Sequence, residues 1–166
     1  LIHKLSPLAY NEEGLYLAAE SAPQTYEAIR FTSDHMAVLG ALGILPSNRL
    51  INETYMRNTL HWVWDNWNWD KTWGWDYPMT AMNATRLGEP EKAVSALLMD
   101  KRTNTYLTNG HNYQDERLRI YLPGNGGLLT AIALMCAGWD GCTTPNPGFP
   151  NDGRWNVKWE GLQQLP

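Results

Sequence analysis

The stretch Asp76–Leu98, DYPMTAMNATRLGEPEKAVSALL, decides the fold class. Asp76 stands ahead of an apolar run with Pro78 in its first turn, Met79 and Met82 inside and Gly88 at its end. Proline near the start and glycine just past the end are the punctuation of one helix. Pro90 then opens a second, with Ala93, Val94, Leu97 and Leu98 recurring at helical spacing. So short a link predicts a helical hairpin.

Working outward, the same pattern recurs. Ser33 or Asp34 is placed to cap a helix carrying Met36, Val38, Leu39 and Leu42, stopped by Gly43 and Pro46. Ser47 or Asn48 is placed to cap the next, with Ile51, Tyr55, Thr59 and Val63 on one face. A last, almost wholly apolar helix is expected from about Gly126 to Ala137, buried on every side. Residues 1–31 read as irregular, and residues 100–123 as a long connection of the kind that usually carries function. Trp155, Val157 and Trp159 alternate with polar residues, which predicts a short strand near the C-terminus. The expectation is therefore an all-α chain of five helices with a short C-terminal β element. Residues 1–166 read as a single region, with no internal repeat.

Composition narrows the function. The chain has 166 residues, a formal net charge of −4, 43% hydrophobic residues and 18% charged residues, so it has the makeup of a folded domain. No basic stripe suggests a phosphate backbone, so a nucleic-acid partner is not expected. No apolar run is long enough to cross a membrane. His3, His35, His61 and His111 lack ligand spacing, so no metal or cofactor is expected. Leu1 in place of an initiator Met fits a processed or truncated chain. Cys136 and Cys142 either close a small loop, which suits an oxidising compartment, or stay as one buried and one loop thiol.

The unusual residue is tryptophan: nine, against two phenylalanines, with six between Trp62 and Trp75. In HWVWDNWNWDKTWGWDYPM (His61–Met79), the indoles of Trp67, Trp69, Trp73 and Trp75 are interleaved with Asp65, Asn66, Asn68, Asp70 and Asp76. Flat aromatic faces stack on the C–H faces of sugar rings, and neighbouring carboxylates and amides bond the hydroxyls. The block therefore predicts a carbohydrate cleft, the alternative being that the indoles fill gaps under a loop and Asp76 is an N-cap. YLPGNGG (Tyr121–Gly127) reads as a glycine-rich turn ahead of the last helix; it lacks the GK[ST] of a phosphate loop. No GxSxG elbow supports a Ser-His-Asp mechanism. Carboxylates for glycoside hydrolysis, which needs an acid and a base or nucleophile, are Glu20, Glu27, Asp34, Asp70, Asp76, Asp115 and Glu116.

Four stretches, Thr72–Leu98, NTYLTNGHNYQ (Asn104–Gln114), YLPGNGGLLTAIALMCAGWDG (Tyr121–Gly141) and GFPNDGRWNVKWEGL (Gly148–Leu162), resemble the C-terminal half of bacterial six-hairpin, (α/α)6-barrel glycosidases. More distantly they resemble the 1,2-α-L-fucosidase and the maltose and trehalose phosphorylase families. The resemblance runs from about Gly14 onward. It implies a partial (α/α)6 toroid completed by a missing N-terminal half, and a periplasmic or secreted glycoside hydrolase. In the fucosidase-like pattern, Gln24 stands where an acidic Glu is expected and Pro123 where a basic Asp is expected. Glu27 or Glu20 would then serve as acid; Asp76, Asp70 or Asp115 would be the second carboxylate, or the missing half would supply it, or an external anion would attack as in the phosphorylases, or the activity is lost. The leading assignment is Glu27 as acid and Asp76 as base or nucleophile. Trp67, Trp69, Trp73, Trp75, Asp70, His111 and Asn125 would contact sugar. The competing readings are a non-catalytic glycan-binding module and a structural half-barrel.

Overall fold

The structure, a computed structural model, describes residues 6–166; His3 lies outside them. Among these residues the chain is mainly helical, with four α-helices and one small hairpin: α1 (Glu53–Asn66), α2 (Asp76–Arg86), α3 (Pro90–Leu97), β1 (Thr105–Tyr106), β2 (Asn112–Tyr113) and α4 (Leu122–Ala137).

Helix α2 is the centre. Every residue from Asp76 to Thr85 is buried, and α3, α4 and α1 pack around it. Its C-terminus closes as a Schellman motif: Gly88, at φ +72°, donates to Thr85 O at 3.1 Å and Glu89 to Ala84 O at 2.9 Å. Pro90 then starts α3 in its first turn, and Ala93 and Ala96 bury against α2. The predicted hairpin is present. Arg57 of α1 locks onto its turn, reaching Glu89 at 2.6 Å and Leu87 O at 2.8 Å.

Helix α1 begins later than expected. Asn52, rather than Ser47 or Asn48, is its cap, and its Oδ1 accepts from the Thr54 and Tyr55 amides at 3.0 and 3.2 Å. Met56, Thr59, Leu60 and Val63 form its buried stripe. Asn52→Ala is expected to cost about 1 kcal/mol, read as a lowered urea midpoint at unchanged slope.

The helix expected over Asp34–Leu42 is instead a 3-10 turn, Ala37–Leu39. Side chains have displaced its helical hydrogen bonds. Asn83 of α2 donates to Leu39 O and Leu42 O at 3.3 and 2.8 Å. Indoles and a hydroxyl hold Asp34 at the other end. Gly43, at φ +136°, passes close against the α2 backbone at Asn83.

Helix α4 starts at Leu122, so the glycine-rich run is helical and not a turn. Gly124 and Gly127 are there for clearance: a β-carbon would come 2.3 Å from Asn112 Oδ1 at the first and 2.8 Å from Pro78 Cγ at the second. The expected burial on every side is also corrected. Ala131, Leu134 and Met135 face the core, but Leu122, Leu129 and Ile132 are exposed. The expected C-terminal strand is absent among the described residues, because Trp155–Trp159 find no backbone partner. The β element lies in the 100–123 connection, and the tail is tied down by a Trp139–Leu165 bridge. Both cysteines are free thiols, and burial pushes that of Cys136 upward.

Candidate functional site

The loop between α1 and α2 and the turn before Ala37 meet over the first turn of α2. Asp76 is fully buried there. Its carboxylate accepts from Thr72 Oγ1 at 2.5 Å and from the Trp73 amide at 2.9 Å, and pairs with His35 Nδ1 at 3.0 Å. His35 lies on the surface, its side chain 43% exposed and stacked on the Trp73 indole at 5.5 Å. Trp73 Nε1 donates to Asp34 Oδ1 at 2.7 Å, and Asp34 is itself exposed. Beyond Trp73 lies the Tyr121 ring, 5.6 Å away. Its hydroxyl is pushed up by partial burial, and further by the charges of Asp76 and Asp34.

The result is one surface carrying an imidazole, a free-facing carboxylate and two aromatic rings. A buried carboxylate behind the imidazole fixes its orientation and favours its protonated form. The hydrogen bond to Asp76 raises the His35 pKa above 6.5; partial burial opposes this, and the charges of Asp76 and Asp34 add to it. A raised folded-state pKa means the contribution to stability is complete below 6.5 and disappears as pH rises through the shifted value. Stability of the wild type is therefore expected to fall with rising pH across that window. Urea titrations of His35→Gln at the same pH values should show that slope removed.

Three of the quoted stretches converge just behind this surface. Gly74 donates to Gln114 Oε1 at 3.1 Å, and Gln114 Nε2 donates to Asn112 Oδ1 at 2.8 Å. Asn112 Nδ2 donates to Thr103 O and Thr105 O. A β-carbon would fall 1.9 Å from Asn112 Oδ1 at Gly74 and 2.3 Å from it at Gly124. The buried Asn112–Gln114 pair thus sets the position of the loop that carries Trp73.

Several expected site residues are corrected. Trp67 and Trp69 are core residues, 5% and 9% exposed. Their indoles donate to Asp34 O and Trp64 O, and Trp69 packs on Tyr77 at 5.6 Å. Burial pushes the Tyr77 hydroxyl up to about 12. Trp75 is half-buried against Gly127. A wall of four indoles is therefore not formed, because the loop after α1 folds its tryptophans inward over α2. Asp76 has no exposed surface, so it cannot touch substrate as a base or nucleophile and acts on His35 instead. Glu27 is exposed among the turns of residues 20–32, and among the described residues no contact ties it to Asp76. Asp70 is exposed and paired with Lys101 at 2.6 Å. Asn125 is used up on backbone, accepting from the Asn112 amide at 2.9 Å and donating to Gly110 O at 2.7 Å. His111 sits half-buried on the β1–β2 turn, its Nδ1 without a partner among the described residues.

Asp34 and Trp73 are the expected candidates that reach this surface. His35 and Tyr121 were not expected there. Their signal was adjacency: His35 follows Asp34, and Tyr121 precedes the glycine-rich run. No group of three His, Cys, Asp or Glu side chains able to hold a metal ion occurs among the described residues. Set against known protein families, curated proteins and solved structures, the chain matches none.

Proposed function

We propose that this chain is part of an (α/α)6 barrel and that its Asp34–His35–Trp73 surface binds carbohydrate and hydrolyses glycosidic bonds. One observation carries the reading: an exposed carboxylate holds the Trp73 indole N–H at the ring edge while an exposed, protonatable imidazole stacks on the ring face. Tyr121, on the far side of Trp73 from His35, offers a face on which a sugar ring stacks. His35, whose protonated form Asp76 favours, gives its Nε2 proton to the leaving glycosidic oxygen. The free oxygen of Asp34 takes a proton from the water that attacks the anomeric carbon. One acid and one base are the minimum for the reaction. The barrel assignment draws on the α2–α3 hairpin and on the exposed Leu122, Leu129 and Ile132 of α4, a face suited to a further helix from the rest of the barrel.

Turnover of a panel of aryl glycosides by the full-length protein tests the assignment. Asp34→Asn, a surface change, is expected to lower the rate about 10²–10⁴-fold with the fold intact. Unchanged turnover would remove Asp34 from the reaction. The second reading is glycan binding without turnover. It is favoured by the failure of Glu27 and Asp76 to form the expected carboxylate pair. Glycan binding with no hydrolysis across the panel would select it.

A further inference from the structure

The C-terminal segment holds aromatic surface that the Asp34–His35 site does not use. Trp155 and Trp159 are 41% and 46% exposed, among the most exposed aromatic residues described. Each lines a cleft, one of about 490 Å³ and one of about 780 Å³. The two clefts share Thr144, Pro145, Asn146 and Val157, so they lie side by side along one common wall, forming a groove with an indole lining each half.

Asn146 joins the halves. It is the one non-glycine residue among those described with a left-handed backbone, at φ +48°. Asparagine adopts that region more readily than other non-glycine residues, so the turn it makes there is not strained. Its Oδ1 accepts the Trp159 indole N–H at 2.9 Å, so the ring is fixed by its edge and its face is left open. Trp155 is steadied by Phe149 at 5.4 Å. The groove wall is polar near the rings: Asn146 Nδ2, Asn151 and the Thr143 hydroxyl have no hydrogen-bond partner among the described residues, and no carboxylate lines either cleft.

We propose that this groove is a second saccharide-binding site, taking a neutral oligosaccharide across Trp155 and Trp159. Fixed indole faces recognise C–H surfaces of sugar rings, and amides and hydroxyls between them recognise the ring hydroxyls. A nucleotide or acidic ligand is disfavoured, because Lys158 is the sole charged side chain on the groove wall. The site has no acid–base pair, so it holds the chain of sugars without cleaving it. The proposal rests on the carbohydrate reading for the ligand class but not for the location.

Calorimetric titration of the full-length protein with malto-, cello- and xylohexaose separates the two. Trp159→Ala and Trp155→Ala are exposed changes and are each expected to weaken binding of the hexasaccharide that binds wild type about tenfold. Asn146→Gly keeps the left-handed backbone, removes the partner of the indole, and should weaken binding while leaving thermal stability unchanged or higher. Trp73→Ala should leave this component in place. Binding that survives both tail variants and disappears in Trp73→Ala overturns the second site and leaves the first standing. Binding weakened in the tail variants and kept in Trp73→Ala supports the second site. No binding of any hexasaccharide overturns the second site, whereas the first stands or falls by aryl glycoside turnover.

Discussion

Gly74→Ala is expected to destabilise the fold by about 3–5 kcal/mol. The added β-carbon would sit 1.9 Å from Asn112 Oδ1 and 2.6 Å from Gln114 Nε2, both buried and hydrogen-bonded. Neither side chain has a free direction in which to retreat. Asn112 is tied to the carbonyls of Thr103 and Thr105, and Gln114 to the Gly74 amide. Overpacking alone costs about 1–3 kcal/mol, and freeing buried polar groups adds a similar amount. Equilibrium urea unfolding checks the value. Gly126→Ala serves as the control, because no atom lies within 4 Å of a β-carbon there. It removes a glycine from inside α4 and should stabilise by about 0.5–1 kcal/mol.

The second large effect is on the site. Asp76→Asn keeps the shape of the side chain and removes its charge. One amide oxygen cannot replace a carboxylate that serves Thr72, the Trp73 amide and His35 together. With the amide oxygen kept on Thr72 and the Trp73 amide, the new NH2 faces His35 Nδ1 and can donate only to the neutral imidazole. His35 then loses the partner that raises its pKa. Removing the orienting carboxylate behind a catalytic imidazole costs up to about 10⁴-fold in rate in a well-studied triad. A loss of about 10²–10⁴-fold in glycoside turnover is expected here, with the imidazole pKa, followed by proton NMR, returning towards 6.5. Wild-type turnover in Asp76→Asn would detach the buried carboxylate from the chemistry.

The helical hairpin was legible because its signals are local: Pro78, Gly88 and Pro90 set the ends of α2 and α3 whatever packs on them. The turn at Ala37–Leu39 was not, because long-range bonds from Asn83 satisfy its carbonyls, and a local pattern carries no trace of them. Tryptophan misled for a related reason. An indole is large enough to serve as core or as platform, and burial depends on where its N–H finds a carbonyl. Trp67 and Trp69 find Asp34 O and Trp64 O inside, whereas Trp73 finds the exposed Asp34 carboxylate. Asp76 reads in the sequence as a base or nucleophile open to substrate, or as an N-cap, and the structure buries it completely. Its depth is set by the loop before α2 closing over it, and depth decides whether a carboxylate meets substrate or a neighbouring side chain.

The pH dependence of glycoside hydrolysis by the full-length protein, wild type beside His35→Gln, tests the central claim most directly. The wild-type rate is expected to fall as pH rises through the raised His35 pKa, and the His35→Gln rate to be about 10²–10⁴-fold lower without that alkaline limb. A His35→Gln profile that matches the wild type in height and shape would contradict it.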